Sequence, residues 1–110
     1  MRKKFGPAFA GLLAGLRHKA VLTQFVLGFC AVAVGLILHL SSMEWIAVIL
    51  CIGLVITAEY LNTAIEFLCN YLTGYQDERI RVIKDLSAGA VLAASMAALA
   101  VAIILVFRHF

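Results

Sequence analysis

An all-α membrane protein, with an N-terminal amphipathic surface helix and three transmembrane helices, is the fold this sequence predicts. Three observations carry that expectation. Of 110 residues, 65% are hydrophobic and only 14% charged, and the mean hydropathy is +1.06. A water-soluble domain of this length needs a polar shell over its core, whereas lipid solvates an apolar exterior. The apolar residues gather into three runs, each near the roughly 20 residues a bilayer crossing requires. The basic residues cluster at some of the breaks between runs and avoid others. One domain spanning residues 1–110 follows.

The first element is expected over residues 5–19. Phe5, Phe9, Leu12, Leu13 and Leu16 recur at helical spacing between two basic flanks, Arg2, Lys3 and Lys4 before them and Arg17, His18 and Lys19 after. Such a segment lies in the headgroup layer, apolar face down and basic ends against anionic lipid. It is not expected to be a cleaved signal peptide, because basic residues follow it where small residues should form a cleavage site.

The three spans are expected at about residues 21–40, 45–69 and 87–107. The link Ser41-Ser42-Met43-Glu44 is so short that the first two spans must form an antiparallel hairpin. Trp45 stands where an interfacial aromatic anchor belongs. The second link, residues 70–86, is longer and holds Asp77, Glu78, Arg79, Arg81, Lys84 and Asp85. Eight of the nine Lys and Arg residues lie before the first span or in this second link. The positive-inside rule then puts both in the cytoplasm. The chain is thus expected in a bacterial cytoplasmic membrane, multi-pass, with its N-terminus inside.

In the last span Ala90, Ala94, Ala98 and Ala102 repeat every four residues, with Gly89, Ala93 and Ala97 alongside. Small residues at that spacing let helices approach closely in lipid. Three spans enclose little by themselves, so a homo-oligomer is expected. Cys30, Cys51 and Cys69 each sit inside an apolar run and read as packing residues. The net charge of +3 is small, and no nucleic-acid partner is expected.

Chemistry concentrates in the second span. At about 100° per residue, Glu59, Asn62, Thr63, Glu66 and Asn70 share one narrow helix face. Ionisable groups within a span are costly and usually face a polar cavity where they act. Running outside to inside, this stripe opens toward the cytoplasm and toward Lys84 and Asp85. Phosphoryl transfer calls for such a set: a carboxylate to take a hydroxyl proton, oxygen ligands for Mg²⁺, and a cation against phosphate. Neither a Walker A pattern nor a kinase Gly-rich loop occurs. The plain alternative is a pair of carboxylates bridging helices.

The segment Glu59-x-x-Asn62-Thr63-Ala64-Ile65-Glu66 with the later Lys84-Asp85-Leu86-Ser87-Ala88-Gly89-Ala90-Val91-Leu92 resembles the prokaryotic diacylglycerol kinase and undecaprenol kinase family. Phe5-x-x-Ala8-Phe9-x-Gly11-Leu12 is similar to that family's opening. The resemblance implies a homotrimer with composite sites between subunits, and ATP and Mg²⁺ as cofactors. It implies Glu59 as general base, Asn62 as the residue placing base and headgroup, and Glu66 as holder of the metal on the ATP phosphates. It further implies Lys84 on phosphate, Asp85 at the nucleotide, and Tyr75, Gln76 and Asp77 as a nucleotide-contacting loop. The family's metal-binding Glu before the first span falls here on His18 or Lys19, and no Asp or Glu precedes Glu44. His18 is the candidate ligand at that position. An acidic residue expected one turn after Glu66 is replaced by Asn70.

Undecaprenol is the acceptor this wording favours, with diacylglycerol the alternative. Two other readings are a small proton-coupled transporter and a kinase relative with impaired catalysis.

Overall fold

A computed structural model describes residues 2–72 and 77–110, and every element among them is a helix. The order is α1 (Arg2–Gly15), α2 (Lys19–Leu38), α3 (Ser42–Leu72) and α4 (Glu78–His109). The last three are long and apolar enough to cross a membrane, whereas the apolar part of α1, Phe5–Gly15, is too short. The surface helix and three spans are therefore present as expected.

Boundaries differ most around the second link. α3 runs on to Leu72, and α4 starts at Glu78 instead of near residue 87. Asp77 explains the early start. Its backbone is extended, and its carboxylate accepts the Arg79 N–H at 2.8 Å, the side-chain cap that a helix N-terminus needs. Lys84, Asp85 and Ser87 consequently lie on a rigid helix.

The hairpin between α2 and α3 is closed by a left-handed residue. His39 has φ 56° and ψ 57°, its N–H donates to the Leu36 carbonyl, and the Leu40 N–H donates to that of Gly35. That pair of bonds is the Schellman arrangement, with His at the position usually given to Gly. Gly35 itself is buried because Trp45 and Leu40 pack on it; a Cβ there would sit 2.8 Å from the indole.

α3 is the shared partner of the other two spans, packing against α4 along its length and against α2 beside it. On the apolar side α2 and α4 diverge around an open groove of about 410 Å³. Gly28, Val55, Ala98, Ala102 and Leu105 are among its lining residues. Of the small-residue ladder, Ala94 is buried while Ala98 and Ala102 face this groove. The three cysteines are free thiols. Phe5, Phe9 and Leu13 of α1 are exposed, as suits a face turned to lipid.

Candidate active site on α3 and α4

Seven residues of rise separate Glu59 from Glu66, about 10 Å along the helix, and Asn70 lies about 6 Å further. The stripe is joined to α4 at two levels. The Ser87 hydroxyl donates to Asn62 Oδ1 at 2.7 Å, and Lys84 Nζ donates to Asn70 Oδ1 at 2.7 Å. Ser87 and Lys84 are three residues apart, so they fall on one face of α4, and they reach positions on α3 about two turns apart.

Asn62 is the hub. While its Oδ1 accepts from buried Ser87, its Nδ2 donates to Glu66 Oε1 at 3.0 Å. The amide is thereby fixed at both ends, and Glu66 is steered from below while its side chain stays exposed. Lys84 sits half-buried at the mouth with its ammonium turned toward the stripe.

Glu59 differs from everything around it. It is buried at 6% exposure, and its Oε2 has no hydrogen-bond partner among the described residues. Buried carboxylate oxygens are normally satisfied, because desolvation without a partner costs several kcal/mol at the upper end. An acid with an unpartnered oxygen on a polar stripe is a candidate to meet a group that arrives from elsewhere.

Several expected residues lie apart from this group. The His18 ring packs edge-on against Phe67, the neighbour of Glu66, with centroids 5.2 Å apart. Among the described residues, no three His, Cys, Asp or Glu side chains come together as a metal cluster. Asp85 is exposed and pairs with Arg81 at 3.6 Å. Asp77 is occupied as the cap of α4 and by the Arg79 guanidinium at 3.1 Å. Those bonds hold its carboxyl below the ordinary carboxylate value. Tyr75 and Gln76 lie outside the described residues.

Ser87 is a site residue that sequence reasoning passed over, because one hydroxyl in a small-residue helix carries no signal until its partner is known. Tyr60 is another. Its hydroxyl hydrogen-bonds the Leu12 carbonyl of α1, and its ring meets Phe25 edge-on at 6.4 Å.

The comparisons with known proteins agree with the motif. The family model described as prokaryotic diacylglycerol kinase matches residues 6–106. An undecaprenol kinase of Bacillus subtilis (strain 168) is 33% identical over 90 residues, which is 81% of this chain and 73% of that protein. A match over most of the chain, joined to a polar stripe with one buried acid on a fold with three span-length helices, places this protein in the prokaryotic diacylglycerol kinase family of membrane lipid kinases.

Proposed function

We propose that this chain is an undecaprenol kinase, transferring the γ-phosphoryl group of ATP to a polyprenol hydroxyl at the cytoplasmic face of the membrane. The observation that carries the reading is Glu59, a buried acid with an unpartnered oxygen, lying below a charged mouth. The undecaprenol acceptor is supported by the name of the Bacillus relative. Diacylglycerol is the second reading, supported by the name of the matching family.

In this reaction the acceptor oxygen forms a bond to the γ-phosphorus and the bond from that phosphorus to the bridging oxygen breaks, releasing ADP. Glu59 Oε2 accepts the hydroxyl proton as the new bond forms. Burial serves this role, because a base shielded from bulk water meets the alcohol alone. Lys84 at the mouth is the cation offered to the nucleotide's phosphates, and its bond to Asn70 keeps its ammonium at that level. Asn62 holds Glu66 in place through Nδ2.

Mg²⁺ fits the donor set. This ion typically takes one or two carboxylates and completes its shell with phosphate oxygens and water. Glu66, exposed at the mouth and bonded through only one oxygen to Asn62, is the residue to hold it. The bound ion would neutralise charge on the phosphates. His18, an imidazole packed edge-on against Phe67, is the weaker candidate beside an oxygen-preferring ion.

The reading includes three copies of the chain sharing composite sites, with the N-terminus in the cytoplasm. The open groove between α2 and α4 supports assembly, since Ala98 and Ala102 leave room for a neighbouring helix.

Purified protein incubated with labelled ATP, Mg²⁺ and a panel of undecaprenol, diacylglycerol and unrelated alcohols tests the proposal. Label is expected in undecaprenyl phosphate, and Glu59→Gln should abolish it. Label in phosphatidic acid alone would replace the acceptor, and label in no lipid would remove the reading.

A further inference from the structure

We infer that Tyr60 is a positioning residue that clips the surface helix to α3 and so shapes the entrance by which the acceptor reaches Glu59. The inference rests on the kinase reading above. Tyr60 directly follows Glu59 but points elsewhere. It lies roughly 200° around α3 from Asn62, on the side facing α1 and α2.

The last turn of α1 shows what the hydroxyl is for. Leu16, Arg17 and His18 donate their N–H groups to the carbonyls of Leu13, Ala14 and Gly15, each three residues back. This tightening satisfies three of the four carbonyls that a helix C-terminus leaves without partners. The fourth belongs to Leu12, and it is the one that accepts from the Tyr60 hydroxyl.

The ring is placed just as closely. Gly15 is buried, and a Cβ added there would lie 2.1 Å from the Tyr60 ring. Hence the backbone at Gly15 is in close contact with the hydroxyl end of the phenol, and Phe25 meets the ring edge-on. A second aromatic contact, His18 on Phe67, fastens the elbow after α1 two turns further along α3. Among the described residues, the Tyr60 bond is the hydrogen bond that ties α1 to a span.

The clip lies one residue from Glu59, and on this inference an alcohol arriving from the headgroup layer passes the end of α1, so fixing that helix end fixes one wall of its route. Among the described residues Tyr60 makes no hydrogen bond to the stripe or to Lys84, so nucleotide binding and the chemical step are expected to be set without it.

The test compares wild type with Tyr60→Phe in nanodiscs, measuring initial rates against undecaprenol and ATP separately. Loss of one neutral hydrogen bond is expected to raise KM for the lipid about three- to tenfold. kcat and KM for ATP should stay within twofold. Gly15→Ala should raise the lipid KM in wild type but not in a Tyr60→Leu background, where no ring opposes the methyl. Amide exchange over residues 13–18 should quicken in Tyr60→Phe. An unchanged lipid KM, a fall in kcat alone, or a Gly15→Ala cost equal in both backgrounds overturns the inference. If wild type phosphorylates no lipid, the kinase reading falls and the acceptor role with it, while the exchange rates still decide whether the clip exists.

Discussion

α3 carries two nearly inaccessible glutamates, Glu44 at 5% exposure and Glu59 at 6%, and they are treated in opposite ways. At the hairpin end the Glu44 carboxylate accepts the Ser41 N–H at 2.8 Å, while the Glu44 N–H donates to Ser41 Oγ at 3.3 Å. That reciprocal pair is a capping box, which satisfies two exposed donors at the start of a helix. The other carboxylate oxygen meets His109 Nε2 at 2.9 Å and Arg108 at 3.8 Å, tying the start of α3 to the end of α4. Near the middle of α3, Glu59 is left with an oxygen that no described residue fills. Burial of an acid therefore does not mark a functional group. Incomplete satisfaction is what sets Glu59 apart, and it supports the role proposed for this residue.

Exchanging the two acids for amides is the sharpest way to break this contrast. Glu59→Gln should lower lipid phosphorylation by about 10²–10⁴-fold, the range of a positioned base, while the midpoint of thermal unfolding in detergent hardly moves. Glu44→Gln should do the reverse, lowering the midpoint while the turnover of folded protein stays within twofold. A large loss of turnover from Glu44→Gln would erase the distinction.

A smaller effect is expected at the mouth. Lys84→Met removes a cation, and one charge-assisted contact corresponds to roughly ten- to a hundredfold in KM for ATP. Titrating the nucleotide at saturating lipid reads this directly. At the hairpin end, Gly35→Ala drives a methyl into Trp45 and Leu40, and overpacking of this kind costs about 1–3 kcal/mol. Chemical denaturation should register it as lost stability, with kcat of the surviving fold retained.

The smallest effect belongs to Asp77. Because its bonds to Arg79 hold its folded pKa below the unfolded value, its contribution is complete at neutral pH and fades as pH falls through that lowered value. Wild type should thus lose stability relative to Asp77→Asn on acidification. Thermal midpoints of the two proteins followed from about pH 7 to about pH 3 should converge.

Most of the architecture was legible, because apolar runs of bilayer length leave few alternatives to helices. The start of α4 was not. Arg79, Arg81 and Lys84 look like a link by composition, yet charged residues extend a helix readily once it leaves the hydrocarbon and has a cap such as Asp77. The acidic stripe was legible because one helix fixes the angles among Glu59, Asn62 and Glu66. Ser87 and Tyr60 were not, since their meaning depends on which turn of a neighbouring helix stands opposite. The Ser41-x-x-Glu44 spacing was visible throughout, but reading those residues as a bare link hid the capping box.

α2 has 20 residues and α3 has 31. At about 1.5 Å per residue, α2 matches a hydrocarbon layer of roughly 30 Å, and α3 overshoots it by about 16 Å. With the hairpin ends held level by Trp45 on Gly35, the excess stands on the side of Asn70 and Lys84. α3, together with α4 of 32 residues, therefore reaches beyond α2 at that end. For the proposed reaction, a water-soluble triphosphate can dock against this extension while an oily alcohol slides in beneath it, so the two phases themselves sort the reactants by direction of approach.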